Sequence, residues 1–267
     1  MKGKDIKELK KNNGKIIDSY EIIMKLLGKN EKEFIEWGLN EIIIPDEKKV
    51  KDEWEALKRR INKESVYDKK NKETKDKAVY VRQYGRTGAQ QLYDGFYKDK
   101  LGLRCIAIDT TNNNQPKKIV QKTTKCTFDE DIINYQISHV WGRTKNMYLF
   151  EAPWNIVLVP KILDPLTGHE AKGDLAKDFR YAFQCRIYKE FEEFIDDYNR
   201  IIEEQDIEKK CKEYSNELRK KMDNGELKLS DRQINDFKKS LKSEFAKIER
   251  PKKEENNHGN ILSEKSR

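Results

Sequence analysis

The apolar residues of the first sixty positions recur at steps of three and four, the spacing of one helix face. The first set is Ile16, Ile17, Tyr20, Ile23, Met24 and Leu27. Gly28 and Asn30 follow this set and predict the end of the first helix. Two more sets, centred on Phe34 and Trp54, predict two further helices. The polar residues 68–77 contain no apolar side chain and predict an exposed linker.

Between residues 78 and 160 the pattern changes to short apolar runs separated by polar turns. Residues 78–81, 105–108, 136–140 and 155–159 predict four strands. Residues 111–116, with three asparagines and a proline, predict a turn.

The remaining chain returns to helical spacing. A long amphipathic helix is predicted from Thr167 to beyond Ile195, and a charged helical pair over 207–218 and 234–248. Ser230 and Gln233 form a capping-box pattern before the last helix. Pro251 predicts its end, and the polar tail after it is predicted to be disordered. The pattern as a whole predicts an α+β fold in a mostly helical chain.

Composition adds a preference for partners. The chain has 267 residues, of which 39% are charged, and its 56 basic against 48 acidic residues give a net charge of +8. A basic surface favours polyanionic partners. No apolar run is long enough to span a bilayer, no signal-peptide pattern follows the N-terminus, and the four cysteines are scattered. These features predict a reduced, cytoplasmic protein without a membrane partner.

The most distinctive chemistry lies in the segment that begins at residue 135. His139 ends one predicted strand, Asn155 opens the next after 16 residues, and His169 follows after another 14 near the start of a predicted helix. Lys172 comes three residues after His169. Taken singly, a histidine in an apolar strand is more often a hydrogen-bonded core residue, and an asparagine often ties down a loop. The joint pattern on strand, strand and helix favours a functional site.

In this order the residues resemble the HNH (ββα-metal) nuclease family. The resemblance implies a central ββα-metal core, a general base at His139, Asn155 at the catalytic site and a metal-ligating His169 in an HxxK setting with Lys172. The family usually places an acidic metal ligand where this chain has Ser138. The resemblance therefore also implies that Ser138 and Asp164 help to hold a divalent metal, with Glu170 as an alternative to Asp164. The metal implied is Mg²⁺, with Mn²⁺ as a substitute.

The chemistry of the residues is consistent with phosphodiester hydrolysis. Neutral imidazole can take a proton from water near neutral pH. Arg143 and Lys145 follow His139 closely and bring positive charge to the position of a scissile phosphate. A rival reading uses Glu170 and Lys172 as part of a PD-(D/E)xK nuclease, with Asp164 as its second acidic residue.

Two flanking segments add candidate DNA contacts. Lys117, Lys118, Lys122 and Lys125 form a run without acidic residues, either a solvated hairpin edge or a strip that follows phosphates. Arg82 and Arg86 lie among glutamines, tyrosines and glycines, and arginine can form paired hydrogen bonds with guanine.

These observations predict five regions: an N-terminal helical region (1–67), a DNA-recognition region (78–130), an HNH-like catalytic core (131–199), a C-terminal helical pair (200–250) and a tail (251–267). The predicted function is a metal-dependent, sequence-specific endonuclease of double-stranded DNA, of the type II restriction kind. Its expected partners are a cognate DNA methyltransferase encoded nearby and, through the helical pair, a second copy of the chain. The alternative from another class is a non-catalytic nucleic-acid-binding or scaffold protein.

Overall fold

The computed structural model describes residues 18–62, 66–68, 73–75, 77–83, 89–103, 105–168 and 170–253. The chain divides into two compact units, Met1–Glu41 and Ile42–Arg267. Within the described ranges, no helix has the length and apolarity needed to cross a bilayer. The predicted mixture of helices and strands is confirmed.

Among its described residues, the first unit has two helices, α1 (Ser19–Leu27) and α2 (Glu31–Asn40). Asp18 caps α1 by accepting from the Tyr20 N–H, and Gly28 ends it with a φ of 63°. The left-handed backbone conformation at the end of a helix favours glycine, which has no Cβ. Asn30 and Glu33 cap α2 reciprocally. The predicted end of the first helix is confirmed.

The second unit begins with α3 (Glu47–Ile61), whose predicted apolar face is buried through Trp54, Leu57 and Ile61. The expected linker over 68–77 is wrong in part. β1 (Val66–Asp68) and β2 (Glu73–Lys75) pair there as a short antiparallel hairpin. Backbone pairing between the strands does not depend on an apolar pattern, so composition alone missed it.

Two strand pairs form the centre of this unit. β3 (Val79–Arg82) pairs in parallel with β4 (Ile106–Asp109). β5 (Tyr135–His139) pairs antiparallel with β6 (Ile156–Pro160), so that His139 faces Ile156. On its other edge β6 exchanges two backbone hydrogen bonds with Ile43. All four predicted strands are confirmed, and β6 is buried from Ile156 to Val159.

Helices connect and cover these strands. α4 (Ala89–Gly95) continues into a π-helical turn over Phe96–Lys100. α5 (Asn114–Thr124) packs Ile119 and Val120 against β6. The turn predicted over 111–116 is shorter than expected, because Pro116 lies in the first turn of α5, where the missing N–H of proline costs no hydrogen bond. The lysine run 117–125 is therefore mostly helical rather than a hairpin edge.

The C-terminal half is helical, with more breaks than the sequence predicted. A short α6 (Asp164–Thr167) precedes α7 (Asp174–Glu190) and α8 (Glu192–Glu204), which meet at the fully buried Phe191. The helical pair is confirmed as α9 (Ile207–Asp223) and α10 (Asp231–Glu244), including the Ser230–Gln233 capping box. α10 ends before Pro251. Of the predicted tail, residues 254–267 lie outside the described residues.

Candidate functional site

A cleft of about 1100 Å³ opens at the carboxyl end of β5. Its walls come from the ends of β3 and β5, the loop that follows β5, the segment around α6, and the last turn of α10. Among the residues predicted from the sequence, it is lined by Arg82, Ser138, His139, Arg143, Lys145 and Asp164. The fold thus brings together side chains that lie far apart along the chain.

His139 is fixed in this cleft by its backbone and by its ring. Its Nε2 lies 3.1 Å from the carbonyl oxygen of Phe150, and the two rings stack with centroids 5.7 Å apart. A carbonyl oxygen only accepts hydrogen bonds, so Nε2 carries the proton and Nδ1 keeps the basic lone pair. Burial lowers the pKa of His139 to about 4; Arg82 acts in the same direction, and the Phe150 hydrogen bond opposes it. The imidazole is therefore neutral at pH 7.

The side chain of Asn155 is held by groups of the protein. Its side chain is fully buried and is used within the protein. Oδ1 accepts from the Trp141 N–H at 3.0 Å, and Nδ2 donates to the carbonyls of Leu149 at 3.0 Å and Gly142 at 3.4 Å. These bonds hold both ends of the loop between β5 and β6. These contacts are those of a positioning residue, and the predicted catalytic role of Asn155 stays a prediction.

The two cations of this loop are anchored to the C-terminal segment. Arg143, which has a φ of 52°, donates through Nη1 to the carbonyls of Ala246 at 2.6 Å and Lys247 at 3.2 Å. The Lys145 ammonium lies 3.4 Å from the Ser240 hydroxyl and 5.6 Å from the centre of the Tyr93 ring. Both side chains line the cleft, but their positions are set by groups of the protein.

Glu244, in the last turn of α10, is a cleft residue that the sequence did not indicate. Its Oε2 accepts from the backbone N–H of Lys145 at 3.1 Å. Burial raises the pKa of Glu244, and the positive charges of Lys145, Arg143 and Arg82 oppose the rise. No local motif could have found this contact, because about a hundred residues separate the two partners. The helical pair, interpreted from sequence as a packing element, also forms a wall of the cleft.

The predicted metal ligands differ in whether their side chains are already bonded within the protein. Ser138 Oγ lies 3.0 Å from Thr167 Oγ1, so its hydroxyl already has a partner in the protein. Asp164 accepts from Gln136 Nε2 at 2.9 Å and lines the cleft together with Glu170. Burial raises the pKa of Asp164, and the charge of Glu170 raises it further. His169 lies outside the described residues.

Within the described ranges, no group of three His, Cys, Asp or Glu side chains is arranged to hold a metal. Asp164 and Glu170 nevertheless offer carboxylate oxygens, the donors that a hard divalent ion prefers. Burial is the larger cause of the raised pKa of Asp164 and the charge of Glu170 adds to it, so a nearby cation would oppose both. These two residues fit such an ion, whereas Ser138 is engaged elsewhere.

Comparison with known proteins gives the family. The family described as "Uncharacterised protein PM1201" matches residues 45–250. This chain belongs to that family. A relative, "Uncharacterized protein PM1201" of Pasteurella multocida (strain Pm70), is 39% identical over 187 residues, which cover 70% of this chain and 80% of the relative. No solved structure matches the chain.

The PM1201 match spans the whole cleft, from Arg82 to Glu244, and begins after α1 and α2. Two further predicted site residues are Lys172 and Arg86. Lys172 is exposed and precedes α7, which starts at Asp174, so it lies outside the helix that the sequence predicted from Thr167 onward. Arg86 lies outside the described residues.

The predicted lysine strip lies on α5 and is not part of the cleft lining. Lys118, Lys122 and Lys125 are spaced by four and three residues, share one side of the helix and its end, and are exposed. Lys122 forms an ion pair with Glu53. The Lys117 ammonium lies 4.9 Å from the centre of the Phe128 ring. The strip is thus a separate basic surface of this chain.

Proposed function

We propose that this PM1201-family protein is a metal-dependent DNA endonuclease of the HNH type, which hydrolyses phosphodiester bonds of double-stranded DNA. The observation that carries the proposal is His139, a neutral imidazole with a defined tautomer, in a cleft whose charged lining consists of three cations and three carboxylates. The order β5, β6 and then helix agrees with the ββα arrangement that the sequence resemblance implies.

In this proposal Nδ1 of His139 takes a proton from the attacking water. A base must be unprotonated to act, and the lowered pKa of His139 keeps it so at neutral pH. Arg82 and Lys145 line the same cleft and provide positive charge for the phosphorane-like transition state. Asn155 contributes indirectly by holding the loop that carries Lys145.

A divalent cation, Mg²⁺ with Mn²⁺ as substitute, completes the proposed site. Asp164 and Glu170 are the described residues that would hold it, with His169 as the further ligand that the resemblance implies. When bound, such an ion supplies Lewis-acid stabilisation of phosphate charge. Ser138 positions Thr167 through its hydrogen bond and is not part of this ligand set.

The restriction-type assignment is the finer part of the proposal. It includes sequence-specific cutting, a DNA methyltransferase encoded nearby, and a dimer formed through α9 and α10. The anchoring of Arg143 by the segment after α10 supports a role for this region at the cleft. The reading of bases by Arg82 and Arg86 belongs to the same proposal.

Two alternatives remain as competing proposals. The PD-(D/E)xK reading places Glu170 and Lys172 on a strand, but they lie in the connection between α6 and α7. A non-catalytic DNA-binding protein is favoured by one observation: the hydrogen bond from His139 to Phe150 would equally serve a structural histidine.

Incubation of the protein with mixed plasmid and phage DNA in Mg²⁺ or Mn²⁺ separates these proposals. Discrete fragments support a sequence-specific nuclease, and a smear would contradict the restriction-type assignment. DNA that is bound but stays intact in both metals would support the non-catalytic alternative. Among variants, loss of cleavage in Lys172→Ala with full cleavage in His139→Ala would support the PD-(D/E)xK reading instead.

A further inference from the structure

A second pocket, of about 160 Å³, lies between α7 and the segment after α10. Four basic side chains line it, Lys177 and Arg180 from the helix and Lys252 and Lys253 from the segment, against one carboxylate, Asp178. Its volume is below the roughly 300 Å³ at which ordinary small-molecule sites begin. The pocket suits a small anion rather than a nucleotide or an apolar ligand.

Two of the four cations are neutralised by the protein. Lys177 forms an ion pair with Asp174 at 3.3 Å, and Lys253 forms one with Asp178 at 3.1 Å. No ion pair of Arg180 or Lys252 is present among the residues that the structure describes. The pocket therefore has a positive excess that comes from these two side chains.

The guanidinium of Arg180 provides a second, independent observation. Its Nε is buried, and it finds no hydrogen-bond acceptor within the described part of the chain. A buried donor without an acceptor is costly, and native proteins rarely leave one. Arg180 lines the pocket, so an anion held there lies beside this guanidinium. Arginine is well matched to phosphate, because its planar N–H groups meet two oxygens at once.

We propose that this pocket binds a phosphate group, with Arg180 and Lys252 as its ligands, and that in the working protein the phosphate belongs to the DNA backbone. The assignment to DNA rests on the proposed function; the phosphate site itself does not. The pocket is joined to the cleft through Gln184, which lines the pocket and donates to the Val140 carbonyl at 3.3 Å. Val140 directly follows His139, so Gln184 links the wall of the pocket to the strand that carries His139.

The phosphate site is tested by the ¹H–¹⁵N signal of the Arg180 Nε–H, identified by its loss in Arg180→Lys. Inorganic phosphate is added at constant ionic strength. We expect a saturable shift of this signal, while that of Arg232, exposed on α10, stays in place. No shift of the Arg180 signal would overturn the site.

The source of the phosphate is tested by binding of a 20-base-pair duplex in EDTA over a range of salt concentrations. In Arg180→Gln combined with Lys252→Gln, the slope of log affinity against log salt should fall by about 0.9, because one phosphate contact is lost. Lys189→Gln, an exposed position on α7 away from the pocket, is the control and should keep the wild-type slope. A phosphate shift with unchanged slopes would overturn the DNA assignment. A phosphate shift in a protein that binds no duplex would contradict the proposed function and leave the pocket established.

Discussion

The Nε2 atom of His139 lies 3.1 Å from the carbonyl oxygen of Phe150, and the planes of the two rings are inclined by only 12°. This one residue therefore fixes both the tautomer and the plane of the imidazole. Because the hydrogen bond uses Nε2, the ring nitrogen left for chemistry is Nδ1. The hydrogen bond and the ring stacking join the end of β5 to the far side of the loop that lines the cleft.

The low pKa of His139 predicts a dependence of stability on pH. The pKa is about 4 in the folded protein and near 6.5 in the unfolded chain. Between these values the unfolded chain binds the proton and the folded protein does not, so stability falls as the pH is lowered. Above pH 6.5 the effect vanishes.

His139→Gln keeps an N–H for the Phe150 carbonyl and removes the titration. Between pH 7 and pH 4.5, wild type should lose roughly 2 kcal/mol more unfolding free energy than the variant. Urea unfolding at the two pH values measures this difference. Equal losses in both proteins would mean that His139 titrates normally.

Asn155→Ala should lower both the unfolding free energy of the protein and its rate of DNA cleavage. The change removes an acceptor from the Trp141 N–H and a donor from the Leu149 carbonyl, both in a buried place. A loss of about 2–4 kcal/mol is expected from these unsatisfied groups. Asn113→Ala, at an exposed position lining the same cleft, is the control and should change stability by less than about 0.5 kcal/mol. Recovery of full cleavage in Asn155→Ala at high Mn²⁺ would indicate a metal ligand instead of a positioning residue.

Glu244→Gln should stabilise the protein at pH 7. Burial raises the pKa of this carboxyl, so its charged form costs free energy in the folded state. The glutamine keeps an acceptor for the Lys145 N–H. The gain in melting temperature should disappear as the pH falls below the ordinary range of glutamate, where both proteins are neutral at this position. Glu249→Gln, at an exposed position, is the control. A lower melting temperature for Glu244→Gln at pH 7 would show that attraction to the cations outweighs burial.

Removal of positive charge from the basic side of α5 should weaken the electrostatic part of DNA binding. Lys118→Gln combined with Lys125→Gln should lower the salt slope of duplex binding by about 1.8 and weaken binding on all sequences alike. The matched control is Lys238→Gln with Lys239→Gln on α10, also exposed. An unchanged slope in the α5 variant would make these lysines ordinary solvated residues.

The sequence predicted the parts of this fold that depend on local periodicity. The apolar faces of α3, α9 and α10 and the strands β3 to β6 are where the pattern placed them, because burial selects a period of 3.6 or 2. The break at Phe191 was missed, since its apolar character continues the helical pattern on both sides. The hairpin over 66–75 was missed because its polar residues give no period.

The sequence indicated residues of one segment that the fold brings to a common cleft, but it did not indicate contacts across the fold. His139, Arg143, Lys145 and Asp164 line one cleft, as their proximity in sequence suggested. The hydrogen bonds of Asn155 to the loop between β5 and β6 were not predicted, because a catalytic asparagine and one that holds a loop look identical in sequence. No sequence signal indicated Glu244, since its hydrogen-bond partner Lys145 lies on another element.

The measurement that tests the account most directly is the rate of plasmid cleavage in Mg²⁺ by wild type and by His139→Gln. Both proteins should bind the plasmid equally and unfold at similar temperatures at pH 7. We predict that wild type converts supercoiled plasmid to linear product and that the variant does so about 10² to 10⁴ times more slowly, the scale of general-base catalysis. Cleavage by the variant at the wild-type rate, or a wild-type protein that leaves the plasmid intact in Mg²⁺ and Mn²⁺, would contradict the account.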